Sequence, residues 1–233
     1  MTDNLMRTFA FILFINIILI SCADAKNTIH PSIYISEFQG FTFNAEKQIS
    51  NRISGYEYQT IDSENIKIQT CDQASHFDIS KIAEFEYFRF KLLQLSCKAA
   101  EVYSTARDAK TSYFPEAFTQ HFFETLPAST VPLLSKADAS QRKDKTLLEY
   151  NKHAKFQTEN SHTVKLLTKD DEIYITILAR GDFNNDGFED LLVKSEWYAR
   201  NAFGKHTDLL ILTKTDKDQP IKIDWRLNPI TSQ

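Results

Sequence analysis

The sequence predicts an α+β protein made mainly of antiparallel strands, with a C-terminal β-meander and one or two helices in the N-terminal half. Three observations carry this reading. Between Val164 and Arg226, apolar residues recur at every second position in short runs separated by polar turns, which is the period of a strand. After Pro115, the residues Phe118, Phe122 and Leu126 recur at the four-residue spacing of one helix face. A hydrophobic content of 42% with eighteen Phe is enough apolar material for a packed core.

Residues 1–21 read as an export signal. Phe9 to Ile20 is an apolar run broken only by Asn16 and preceded by Arg7. A membrane-spanning helix needs roughly 20 apolar residues, so this shorter run suits the apolar centre of a secretory signal. Two processing routes stay open. Ala23-Asp24-Ala25 is an A-x-A cleavage site that would leave Lys26 as the new N-terminus. Leu19-Ile20-Ser21-Cys22 resembles the lipobox of bacterial lipoproteins. That resemblance implies that Cys22 is acylated and becomes the first mature residue, with Ala23 rather than Asp beside it pointing to the outer membrane. The expected location is outside the cytoplasm, as an outer-membrane lipoprotein or a periplasmic protein.

Cys22, Cys71 and Cys97 are the three cysteines. Either route removes Cys22 from thiol chemistry and leaves an even number in an oxidising compartment. A Cys71–Cys97 disulfide is expected, contributing roughly 3–4 kcal/mol through chain entropy; the competing reading is two buried free thiols.

Residues 22–32 read as a tether and 33–134 as an N-terminal α+β region. Ile33 and Ile35 alternate with polar neighbours, and Phe41-Thr42-Phe43 follows Gly40; both look like short strands. Ile61, Ile66 and Ile68 lead through a further strand-like segment to Cys71. From Ile82 to Ala106 two patterns compete. Phe88, Phe90 and Leu92 alternate with Arg89 and Lys91, whereas Leu92, Leu95 and Ala99 make a helical stripe. The alternation predicts a strand to about Cys97 and leaves 98–114 unassigned. Pro115 then opens the helix carrying Phe118, Phe122 and Leu126, which ends before Pro127. Residues 135–161 read as a linker, because Ser135–Lys145 is rich in Ser, Asp, Lys and Arg with no apolar period. Residues 162–233 form the meander, with strands near Val164–Leu167, Ile173–Ala179, Leu191–Val193, Asp208–Thr213 and Ile221–Arg226.

The stretch between the second and third of these strands reads Asp182-Phe183-Asn184-Asn185-Asp186-Gly187-Phe188-Glu189-Asp190. Hard cations such as Ca2+ take six to eight oxygens at about 2.3–2.6 Å. Alternate residues of a tight loop can turn Asp182, Asn184 and Asp186 toward one point; Gly187 permits the turn, Phe188 offers its carbonyl and Asp190 closes the set. A competing reading is an Asn/Asp/Gly turn whose carboxylates cap only their own backbone. The stretch begins like an EF-hand loop but has Val193 where that loop needs Glu.

With a strand on each side, Gly181-Asp182-Phe183-Asn184-Asn185-Asp186-Gly187-Phe188-Glu189-Asp190-Leu191-Leu192-Val193 resembles the calcium loop of FG-GAP or VCBS-type repeats, the blades of integrin-like β-propellers. The resemblance implies a Ca2+ site made by Asp182, Asn184, Asp186, Asp190 and the Phe188 carbonyl. It covers one repeat, whereas a propeller needs typically four to eight blades, so the propeller itself is not implied.

Five glycines and the absence of G-x-S-x-G, G-x-G-x-x-G, P-loop and H-E-x-x-H motifs argue against several glycine-dependent and metal-dependent enzyme classes. A formal charge of −4 argues against a nucleic-acid partner. The leading expectation is a calcium-stabilised exported envelope protein with a structural or interaction role. Its partner would be a protein or glycan of the cell envelope, and a Cys22 lipid would supply the membrane contact. An envelope hydrolase acting on glycans or peptidoglycan would require paired carboxylates in a second pocket. A periplasmic inhibitor or immunity-type protein is a third possibility. His121 with Glu124, and Trp197, Tyr198 and Arg200, are weaker candidates whose simpler reading is surface.

Overall fold

Leu191-Leu192-Val193 and Leu209-Leu210-Ile211-Leu212 are apolar on both faces of a strand, a composition that is stable only where both faces of a sheet are covered. The computed structural model, which describes residues 28–34, 53 and 55–228, places both runs at the centre of such a sheet. The elements are β1 (Ser32–Ile33), β2 (Tyr56–Gln59), β3 (Asn65–Ile68), α1 (Cys71–His76), α2 (Glu84–Ser104), α3 (Gln120–Glu124), α4 (Lys136–Arg142), α5 (Leu147–Tyr150), β4 (Lys155–Asn160), β5 (Thr163–Leu167), β6 (Asp171–Gly181), β7 (Asp190–Ala199), β8 (Lys205–Thr213) and β9 (Lys222–Arg226). Strands β4 to β9 follow one another across the sheet, each antiparallel to the last, and β1 joins the free edge of β6 beyond the end of β5. The fold class is α+β, mostly antiparallel sheet, with the helices mainly in the N-terminal half. The signal segment, Cys22 and Phe41–Phe43 lie outside the described residues.

One face of the sheet, including Leu166, Ile173, Ile175, Ile177 and Val193, packs on Phe118, Phe123, Leu126 and Leu147. The other face, through Leu178, Ala179, Leu192, Leu209 and Ile211, packs on Leu95, Ala99 and Tyr103 of α2. The far side of α2, through Phe90, Leu93 and Cys97, is covered by Tyr58, Ile68 and Ala74 of the β2–β3 hairpin and α1. The expected Cys71–Cys97 disulfide is present, with 5.4 Å between Cα atoms, and staples α1 to α2.

Helix α2 corrects the strand expected up to Cys97. The helix is buried on two opposite sides, so apolar residues fall at almost every second position from Leu93 to Ala99. Phe90, Leu93 and Cys97 make one face and Leu95, Ala99 and Tyr103 the other, each at helical spacing. A helix sandwiched between two layers therefore mimics the strand period.

Four smaller expectations also change. Helix α3 begins at Gln120 rather than at Pro115, because the Thr119 hydroxyl accepts from the Phe122 amide at 3.3 Å and caps it. The segment 135–161, expected as a linker, contains α4, α5 and β4. Ser135 and Thr146 cap the two helices, Arg142 pairs with Asp138 at 2.6 Å, and Leu147 is fully buried. Within the expected tether, Ile29 exchanges two backbone hydrogen bonds of 2.9 Å with Ala109, and Ser32 enters β1. A β-bulge between Ile177 and Ala179 puts both Leu178 and Ala179 on the α2 side, although Ala179 reads as a partner of Ile177 in a regular strand. The same shift swings Arg180 to the opposite face, over the Phe118 ring at 5.4 Å. A second irregularity, in β9 where Asp224 is passed over between Ile223 and Trp225, sends Trp225 to the α2 side while Ile221 and Ile223 pack with the cluster on the other face.

Candidate metal centre

Gly181 ends β6 and Asp190 starts β7, so the loop of interest is a connection between two central strands. It is pinned from outside by the chain that follows α2. Asp182 and Arg107 exchange backbone hydrogen bonds of 3.0 and 2.9 Å, Lys110 N–H donates to the Gly187 carbonyl at 2.8 Å, and Glu189 N–H donates to the Thr111 carbonyl at 2.8 Å. The sharp turn uses the left-handed region at Asn185 (φ 66°) and Gly187 (φ 87°). Asn and Gly are the residues that enter it at least cost, and a Cβ at Gly187 would be strained by the backbone angle, its nearest neighbour being Lys110 Cδ at 3.7 Å.

The loop oxygens turn inward and accept from its own amides. Asp182 Oδ1 takes Asn185 N–H at 2.7 Å and its Oδ2 takes Gly187 N–H at 2.9 Å. Asn184 Oδ1 takes Asp186 N–H at 3.0 Å, and Asp186 Oδ1 takes Phe188 N–H at 2.8 Å. Asp190 Oδ2 takes Phe183 N–H at 2.9 Å, while Asp190 Oδ1 is fully buried and makes no well-formed hydrogen bond, the equally buried Thr213 hydroxyl across the strand pair being its polar neighbour. Burial pushes the Asp190 carboxyl up from its ordinary 3.8 to about 7, with the Asp186 and Asp182 charges adding to the rise and Thr213 and the Phe183 amide opposing it. Asp182 is buried, Asn184 and Phe188 are half-buried, and Asp186 is exposed. Among the described residues, no three His, Cys, Asp or Glu side chains already stand grouped as a metal-ligand set.

Next to these oxygens lies an arrangement the sequence did not flag. Arg180 and Glu189, both buried, form an ion pair; Ser112 Oγ also donates to Glu189, and Arg180 Nη1 donates to the Pro115 carbonyl at 3.0 Å. Burial works against the Arg180 charge, but the Glu189 carboxylate outweighs it and the guanidinium pKa is raised. Glu189 occupies a variable position of the loop pattern, and Ser112 is far away in sequence, so no local spacing announced the contact.

The weaker candidates have structural uses. His121 Nδ1 lies 3.6 Å from Glu124 with its ring exposed. Trp197 Nε1 donates to Asp171 at 2.8 Å, and Arg200 donates to the Thr168 and Asp170 carbonyls, so both tie down the β5–β6 turn. Tyr198 belongs to a hollow of about 380 Å3 on the sheet with Glu172, Tyr174 and Glu196. There Tyr174 donates to Glu172, Tyr198 donates to Glu196 at 2.9 Å, and Lys165 and Lys194 pair with the two glutamates at 3.1 and 2.9 Å. The Tyr174 hydroxyl, with Lys165, holds the Glu172 carboxyl below its ordinary value. No family model, curated protein or solved structure matches the chain.

Proposed function

We propose that this is an exported, calcium-binding envelope protein with a structural or interaction role, in which Ca2+ fastens the Asp182–Asp190 loop. The observation that carries the reading is the buried Asp190 carboxylate, which has no cationic partner among the described residues and only the Thr213 hydroxyl and the Phe183 amide against it, in a loop with two further aspartates. Burying an unpaired charge is costly unless a proton or a cation neutralises it. Asp182, Asn184, Asp186 and Asp190 would hold the ion through side-chain oxygens and Phe188 through its carbonyl. A carboxylate has about four lone-pair sites, so accepting one or two amides leaves room for a ligand bond. The ion would supply the positive charge that Asp190 lacks. The likeness of 181–193 to FG-GAP or VCBS calcium loops supports the same assignment.

Because Arg107, Lys110 and Thr111 are hydrogen-bonded to the loop backbone, fastening it also fixes the chain leaving α2 against the sheet. The Cys71–Cys97 bond supports export to an oxidising compartment. With the lipobox-like Leu19–Cys22 it favours an outer-membrane lipoprotein whose partner is a protein or glycan of the envelope. Hydrolysis is the less favoured reading, because the two glutamates of the sheet hollow, Glu172 and Glu196, are already engaged by Lys165 and Lys194 at 3.1 and 2.9 Å and by Tyr174 and Tyr198.

The test is a thermal melt of the purified chain with increasing Ca2+, repeated with Asp186→Ala and with Mg2+ in place of Ca2+. Stabilisation by Ca2+ that the variant loses supports the site. An unchanged melting temperature at millimolar Ca2+, the range of extracellular calcium modules at about 10⁻⁴–10⁻³ M, overturns it.

A further inference from the structure

A groove of about 840 Å3 runs between α2 and the start of β8, at the opposite end of β7 from the aspartate loop. Its volume lies within the span of roughly 300–1,000 Å3 usual for small-molecule sites. Phe88, Leu95 and Leu227 line it with apolar surface, and Phe85 and Phe203 stand exposed at its walls, 74% and 108% accessible. Together with Phe88, Leu95 and Leu227 they make an apolar lining along one concavity, the kind of surface that marks ligand-binding grooves.

The charge of the groove opposes that of the chain. The formal charge is −4 overall, yet Lys91, Lys98, Lys205 and His206 line this groove against one carboxylate, Glu84. Lys98 is neutralised by Glu101 at 2.7 Å. Lys91 and Lys205 have no acidic partner among the described residues; their ammonium groups rest on the rings of Tyr87 and Phe88 at 5.2 and 5.5 Å. Glu84 lies about 10 Å along the helix axis from Lys91, too far to pair with it. Burial and the positive charges of Lys91 and Arg226 hold the His206 pKa below its ordinary value. Two lysines on opposite walls, one from α2 and one from β8, thus lack an anion above an apolar lining.

We infer that this groove binds a single-chain amphipathic anion, one molecule at a time, with its anionic head between Lys91 and Lys205 and its apolar body along Phe88, Phe85 and Phe203. Charge complementarity selects the head, and the aromatic lining selects the body. A concave site favours an individual amphiphile over the flat surface of a bilayer.

The experiment is calorimetric titration of the chain with dodecyl phosphate below its micelle concentration. Dodecyltrimethylammonium, with the same tail and the opposite charge, is the comparison ligand. Saturable one-to-one binding of the phosphate is expected, with the cation binding at least about tenfold more weakly. Lys91→Glu with Lys205→Glu should remove phosphate binding, and the milder Lys91→Gln with Lys205→Gln should weaken it, both with an unchanged melting temperature. Equal affinity for the two heads, unaltered binding by both double variants, or sedimentation with anionic vesicles without binding of the free amphiphile would each overturn the inference.

Discussion

Two charge clusters, one buried and one buried except for Asp186, lie side by side at the end of β6 and the start of β7, and they are solved in opposite ways. At Arg180–Glu189 the charges cancel within the chain, and Ser112 and the Pro115 carbonyl take up further hydrogen bonds. At Asp190 the Asp182 and Asp186 carboxylates add to the effect of burial, no ion pair forms among the described residues, and Oδ1 makes no well-formed hydrogen bond. The first cluster is neutral as an ion pair, although Arg180 Nε makes no hydrogen bond; the second has no such internal counter-charge among the described residues. Adjacent residues, Glu189 and Asp190, therefore differ: Glu189 ties the loop to the body through Arg180 and Ser112, whereas Asp190 is the carboxylate that the proposed cation would neutralise.

The contrast is most sharply broken at Glu189. Glu189→Ala strands the Arg180 guanidinium in the interior and should cost about 3–5 kcal/mol in urea denaturation. A loss below about 1 kcal/mol would mean that the pair is not the element anchoring the loop. Asp190→Asn should act in the opposite direction when metal is chelated at pH 8, stabilising the chain on the order of 2–4 kcal/mol by removing an unpaired buried charge, and it should abolish the response to Ca2+. In wild type, a folded-state value of about 7 lies above the unfolded 3.8. The Asp190 contribution is thus fully present below pH 4 and is lost as pH rises toward 7. Denaturation in chelator across this range should show a decline that is absent in Asp190→Asn and suppressed in wild type by Ca2+.

Smaller effects sharpen the same comparison. Saturating Ca2+ at about ten to a hundred times its dissociation constant should raise wild-type stability by about 1.4–2.7 kcal/mol, or about 3–10 °C in a melt, and leave Glu189→Ala similarly responsive if its loop still forms. Asp186→Ala in chelator should shift stability by less than about 0.5 kcal/mol, because the side chain is exposed and caps a single amide. Its effect should emerge only as a lost Ca2+ response, which a melt with and without the ion detects.

The fold was most legible where burial matches a simple period. Strands β5 to β9 each contain the alternation or continuous apolar run expected of a half-buried or doubly covered strand. It was least legible at α2, where two buried faces overlay a period of about two on a helix, and at 135–161, where the polar residues that suggest a linker are instead caps and an Asp138–Arg142 pair. The bulge at Ile177–Ala179 was also hidden. Nothing in Ile177-Leu178-Ala179 distinguishes a slipped register from a regular one, yet that slip places Arg180 opposite the Phe118 core and beside Glu189.

The sequence alone determined the spacing of the loop oxygens, the turn at Gly187, the two cysteines that pair, and the run of strands around them, because each depends on residues close in the chain or on a count. Tertiary structure alone decided which carboxylate is buried without a counter-charge, that Glu189 neutralises Arg180, that the chain after α2 braces the loop, and that Lys91 and Lys205 line one groove. These features depend on which distant segments exclude water from a given atom, and burial by a partner dozens of residues away leaves no periodic trace in the sequence.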